Sequence, residues 1–183
     1  MKRVARNSWL LAAFAVLSAS AQAQSKITPF VGVGANFAAS DYTDVDSAKT
    51  GYQMMAGFDC PFLMKNLSLR FDGNLGWNGR ETHFRESTYL AGAFVRLEYW
   101  LPKMSILTPY VLGGVGLNYH KYNYGQSNNA PRSTTETMVS GGVGTTFMVG
   151  PAMAFVEGRY DYGADLTRIY PLIVGVRFTP GSK

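Results

Sequence analysis

Along Leu67-Ser68-Leu69-Arg70-Phe71-Asp72-Gly73-Asn74-Leu75-Gly76-Trp77, every odd position except Gly73 is apolar or aromatic, and every even position is polar, charged or Gly. Successive side chains of a strand point to opposite faces, so this segment predicts a strand with one oily face and one face carrying Arg, Asp and Asn. A single strand of this kind suits a soluble sandwich. Here the pattern recurs along most of the chain. Repetition of that kind predicts a closed wall with lipid outside and a polar interior, because every backbone polar group in a bilayer must be satisfied internally.

The N-terminal region predicts export. Lys2, Arg3 and Arg6 form a basic start, Trp9–Leu17 an apolar centre, and Ala21-Gln22-Ala23 a small-x-small cleavage site. Residues 1–23 are therefore expected to be a signal peptide, with the mature barrel domain spanning 24–183. The apolar run is shorter than the roughly 20 residues a membrane-spanning helix needs. The mature length suits eight strands of roughly 10 residues plus connections, in one domain. The pI of 9.3 overstates the charge. Without the three basic residues of the signal, 14 basic residues face 12 acidic ones, and no basic cluster supports nucleic-acid binding. Cys60 is the single cysteine, so no internal disulfide is available, and it is read as a small, mostly apolar wall residue.

Eight strands are expected, roughly over Ile27–Ala38, Thr50–Cys60, Leu67–Trp77, Ser87–Leu101, Leu107–Tyr122, Glu136–Val149, Met153–Tyr162 and Arg168–Phe178. Pro61–Asn66, Pro102–Ile106 and Gly150–Ala152 are short turns, each with a proline at or near its start, where strand pairing stops. Ala39–Lys49, Asn78–Glu86 and Asn123–Thr135 are longer polar loops, and Gly163–Thr167 is a shorter one. Short turns on the periplasmic side and longer loops outside are the outer-membrane pattern. Aromatic residues fall toward the ends of the apolar rows, at Tyr52, Trp77, Tyr89, Tyr99, Tyr119, Phe147, Tyr170 and Phe178, where a girdle at the lipid–water boundary is expected.

The parity opposite the oily face collects Asp59, Arg70, Asp72, Arg96, Glu98, Glu157, Arg159, Asp161 and Arg177. An Arg turned to lipid at mid-membrane costs roughly 2–4 kcal/mol, so facing is strongly selected. Five acids and four arginines, set low in a narrow lumen, are expected to form an Arg–carboxylate network. The interior of eight strands is just wide enough for side chains, which makes the network a plug, with a gated ion path the alternative. The loopward half of the interior offers Gly32, Gly34, Asn36, Gly76, Gly92, Gly114, Gly116, Asn118, His120, Gly142 and Gly144. Inward glycines either make room for long neighbours or leave a wet cavity.

Other candidates are weaker. Arg80, Glu81, His83, Arg85, Glu86, Ser87 and His120 gather near one rim, which suggests a Ser–His–acid hydrolase or a solvated rim. In the second reading Arg80, Arg85 and Lys121 meet lipopolysaccharide phosphates. Asp41, Asp44 and Asp46 lack the Gly turn and distal Glu of a dedicated calcium loop. Gly32-Val33-Gly34 and Gly141–Gly144 lack the Lys and helix of a phosphate loop. No cofactor or metal is expected.

The whole expected mature chain resembles the small eight-stranded outer-membrane barrels: the transmembrane domain of outer membrane protein A, outer membrane protein X and opacity-like proteins. The resemblance rests on strand number, loop alternation, the inward charges and the final strand Tyr170-Pro171-Leu172-Ile173-Val174-Gly175-Val176-Arg177-Phe178. That strand is similar to the C-terminal signal read by the barrel-insertion machinery, although Thr179–Lys183 follow the aromatic residue. The resemblance implies an all-β, eight-stranded antiparallel up-and-down transmembrane barrel in the bacterial outer membrane, monomeric, in contact with outer-membrane lipids and lipopolysaccharide. It implies a structural or surface-interaction role, with a narrow solute channel or a lipid A-modifying enzyme as alternatives. Lipid A deacylases resemble a His-x-Ser pair, where this chain has His120-Lys121-Tyr122.

Overall fold

The computed structural model describes residues 27–40, 48–80, 87–123, 132–150, 152–163 and 167–178. The alternating pattern folds as eight antiparallel strands: β1 (Thr28–Ser40), β2 (Ala48–Phe62), β3 (Met64–Arg80), β4 (Ser87–Trp100), β5 (Thr108–Asn123), β6 (Arg132–Val149), β7 (Ala152–Gly163) and β8 (Thr167–Arg177). Each pairs with its neighbours in sequence, and β1 pairs with β8 to close the barrel. Closure removes the sheet edges that lipid would leave unpaired.

Following hydrogen-bonded partners once round the wall gives the stagger. Met153 leads through Arg177, Phe30, Gly57, Asp72, Phe94, Gly116 and Met138 to Gly163, ten residues further along β7. With strands about 4.8 Å apart and a rise of about 3.3 Å per residue, this stagger corresponds to a strand tilt of roughly 40°. Side chains distant in sequence, on opposite sides of the wall, are thereby brought to similar heights in the lumen.

Several strands are longer than their apolar patterns. The β2 strand continues through Pro61 to Phe62, and β3 begins at Met64 rather than Leu67, so Pro61–Asn66 is mostly strand. A register shift between Pro61 and Phe62 absorbs the proline, and the turn centres on Leu63 at φ 51°. The β6 strand begins at Arg132, so the second part of the expected Asn123–Thr135 loop pairs with β5 from Tyr122↔Arg132 onward. Polarity marks where lipid ends, and strand pairing continues beyond it. Pro171 lies inside β8, four residues after its first residue Thr167. The β7–β8 ladder runs to Gly158↔Leu172 and resumes at Asp161↔Ile169, spanning the position where proline has no N–H to donate.

Facing follows the parity. Val31, Val33, Met54, Leu75, Val95, Leu97, Val115, Leu117, Val139, Val143, Leu172 and Val174 are exposed on the outer surface. Tyr52, Trp77 and Tyr89 are direct cross-strand neighbours near the loop end. Cys60 is half-buried and unpaired near the end of β2.

Candidate functional site

The lumen is filled from the short-turn end upward. Arg177 near the end of β8 grips Glu98 near the end of β4 through two parallel contacts, Nη1 to Oε1 at 2.7 Å and Nη2 to Oε2 at 3.1 Å. It also reaches Asp59 Oδ2 at 2.7 Å. Arg70 on β3 lies just above and ties three acids together: Asp59 at 3.0 Å, Glu98 at 2.5 Å and Glu157 at 2.6 Å. Every side chain in this tier is buried. Fork-like Arg–carboxylate pairs of this type are geometrically specific and offset the cost of desolvating the charges.

A second tier follows. Arg96 pairs with Asp72, donates from Nε to Ser140 Oγ at 2.9 Å, and lies 3.8 Å from Asp161. Ser140 in turn donates to Asp161 Oδ1 at 2.5 Å. Arg159 links the tiers, 3.3 Å from Glu157 and 3.5 Å from Asp72. All nine of the expected inward charges thus join one connected set. Register and stagger order them along the axis, with Arg177, Asp59 and Glu98 nearest the short turns, Arg159 near the middle and Asp161 highest.

The interior is not polar throughout. Phe30, Met55, Phe155 and Ile173 form one buried cluster, and Leu90, Phe94, Met138 and Ile169 another. The first interleaves with the lower charges: the Arg70 guanidinium lies 4.7 Å from the Phe30 ring centre, and that of Arg177 lies 4.7 Å from Trp100 and 4.8 Å from Tyr110. Tyr110 also donates its hydroxyl to Glu157 at 2.7 Å. The second cluster caps the upper charges, with Arg96 4.0 Å from the Phe94 ring centre. These apolar residues share the inward parity with the charges. They were legible in the same alternation that carries Arg70 and Asp72, but a search for inward charge passes over them.

The inward glycines face large neighbours. A Cβ on Gly32 would meet Ile173 and Phe155, on Gly116 the Phe94 ring, on Gly144 the Tyr110 ring, on Gly142 the Arg159 side chain and on Gly114 that of Arg96. Of the two readings of inward glycine, room for long side chains is therefore the one realised at these positions.

Above the second cluster, His120 Nε2 lies 2.6 Å from Glu136 Oε1, both buried. Glu136 is inward on β6 in step with Met138 and Ser140, so its parity marked it, although the nine-residue set omits it. Lys121 is exposed beside Tyr89 on the outer wall. Arg80 is the last residue of β3 and Ser87 the first of β4. Arg85, His83 and the aspartates of the first loop lie outside the described residues. Among the described residues, no group of three or more His, Cys, Asp or Glu is placed to hold a metal ion.

Residues 9–178 match the family described as "Outer membrane protein beta-barrel domain". The chain belongs to that family. Solved structures of the same fold include Neisserial surface protein A, at 18% identity and TM-score 0.57, covering 85% of this chain and 97% of that one. A major outer membrane protein from Thermus thermophilus aligns at 10% identity and TM-score 0.59, covering 86% and 100%. Ail, the attachment invasion locus protein of Yersinia pestis, in complex with the heparin analogue sucrose octasulfate, aligns at 13% identity and TM-score 0.52, covering 85% and 97%. Comparison with curated protein sequences finds no match. The architecture is that of an eight-stranded outer-membrane barrel.

Proposed function

We propose that this barrel is a structural or surface-interaction protein of the outer membrane, without catalysis, its lumen shut by the Arg–carboxylate network and the apolar clusters around it. The observation that carries the reading is the connected set from Arg177 to Asp161, completely buried at Arg70, Arg96 and Glu98. An aqueous path would keep such groups hydrated, whereas here they are bonded to each other. Residues 1–23 fit an export signal removed before Gln24, and the barrel-insertion machinery would read the final strand. In this reading the barrel is a monomer held by outer-membrane lipids, and Lys121, with Arg80 and Arg85, meets lipopolysaccharide phosphates. The Ail complex with the heparin analogue sucrose octasulfate is a precedent on this fold for binding a polyanion.

The narrow-channel and lipid A-modifying alternatives have less support. His120 and Glu136 form an acid–base pair, but it is buried in the lumen, whereas an acyl chain lies outside the wall. Single-channel recording in planar bilayers tests the closed lumen: no sustained conductance is expected, and sustained conductance overturns the reading.

A further inference from the structure

The short-turn end of the barrel differs from the loop end in both charge and hydropathy. Its described turns carry Leu63, Met64, Lys65, Lys103, Met104 and Ile106 and no acidic residue. Their apolar side chains are turned outward, with Leu63 84% and Ile106 74% exposed. The β4–β5 turn is tight and closed on itself. Met104 and Leu107 exchange backbone hydrogen bonds of 2.8 and 3.0 Å, with Ser105 at φ 57° between them. Exposed apolar tips on tight turns are costly in water. At the loop end the chain mixes charges instead, with Asp41, Asp44, Glu81 and Glu86 among Arg80 and Arg85.

Lys65 is exposed on the outward parity of β3, two residues below Leu67 and four below Leu69. A lysine at the foot of a lipid-facing row lays its methylenes along the apolar surface and lifts its ammonium to the headgroups. Lys103 stands two residues beyond Leu101 after β4, the strand paired with β3. The wall above the turns carries exposed Tyr99 and Phe178, as the loop end carries Tyr52, Trp77 and Tyr89, and the turns themselves carry Leu, Met and Ile with lysines between them. Cations at the foot of a lipid-facing row stand at headgroup level and match an anionic leaflet, and the apolar tips Leu63, Met104 and Ile106 lie beyond the lysines, further from those rows.

We infer that the β2–β3 and β4–β5 turns form a seat for anionic phospholipid headgroups in the leaflet on the short-turn side, with Lys65 and Lys103 binding the phosphates. The inference rests on the membrane-spanning reading of the barrel.

The test uses the mature chain refolded into phosphatidylcholine vesicles with and without a fraction of phosphatidylglycerol, scored by urea titration of the heat-modifiable folded band. The folded wild-type protein is expected to gain from the anionic lipid, roughly fivefold in folding equilibrium per lysine, and the gain should fade with salt. The Lys65→Gln/Lys103→Gln double variant should keep its phosphatidylcholine midpoint and lose most of the anionic gain. The Lys65→Arg/Lys103→Arg double variant, which keeps both charges, should keep most of it. Equal gains in wild type and the Gln double variant, or an equal loss in the Arg double variant, overturn the seat. Failure to insert into either vesicle overturns the membrane-spanning reading, and the seat with it.

Discussion

At the scale of single residues, the arginines of the lumen are the most consequential groups in the chain. Arg96 is fully buried and holds Asp72, Ser140 and Asp161 at once. Truncating it leaves two carboxylates short of a cation in a space that water does not readily reach. Removing one partner of a buried pair typically costs about 3–5 kcal/mol, whereas an exposed cation is worth under about 1 kcal/mol. Arg96→Ala is therefore expected to lower the urea midpoint of the refolded barrel far more than Lys121→Ala, whose side chain is exposed on the wall. Equal midpoints would contradict the network as a stabilising element. Arg132, inside the expected Asn123–Thr135 loop, instead opens β6 and pairs with Tyr122. Which residues face inward was legible at this scale, since the period of a strand is two and lipid excludes charge. Which acid each arginine holds was not. Arg70 meets Glu157 across 87 positions of sequence, and that meeting depends on a stagger of ten residues which no alternation within one strand encodes.

At the scale of strands, glycine separates two kinds of position in the wall. A Cβ on Gly34 of β1 would lie 2.1 Å from the Leu172 carbonyl oxygen on β8, a backbone atom that cannot turn aside. A Cβ on Gly158 of β7 would meet nothing within 4 Å, and it faces outward between Arg159 and Glu157, which face in. Gly34→Ala is expected to destabilise by about 1–3 kcal/mol through overpacking at the closing seam. Gly158→Ala should stay within about 0.5 kcal/mol of wild type, as surface changes usually do. Urea titration of the two variants in the same vesicles checks this, and similar midpoints would contradict the tight β1–β8 closure. Both glycines look alike in the sequence, as small residues inside an alternating run. Parity separates Gly34 as inward from Gly158 as outward, but the close approach at Gly34 comes from the neighbouring strand. The strand ends were hidden for a related reason. Arg132–Thr135 reads as polar loop because water, not lipid, surrounds it, and Thr still pairs well in a strand.

At the scale of the whole molecule, two barriers lie in series along one axis. The lower is ionic, braced by aromatic rings from Phe30 to Tyr110. The upper is apolar, built from Leu90, Phe94, Met138 and Ile169. An ion entering from the loop end passes the buried His120–Glu136 pair and then meets the apolar layer, where it would lose hydration without gaining a partner. One entering from the turns meets carboxylates already occupied by arginines. Either layer alone suffices to stop conduction, so breaching one should leave the barrel shut. Phe94→Ala opens space between Gly92 and Gly116, which its ring now occupies, and frees one face of Arg96. The variant is expected to lose about 3–5 kcal/mol of stability, the usual cost of deleting a buried ring, and still to show no sustained conductance in planar bilayers. A wild-type barrel that stays closed beside a Phe94→Ala barrel that conducts would place the entire barrier in the apolar layer and reduce the Arg–carboxylate set to a structural brace.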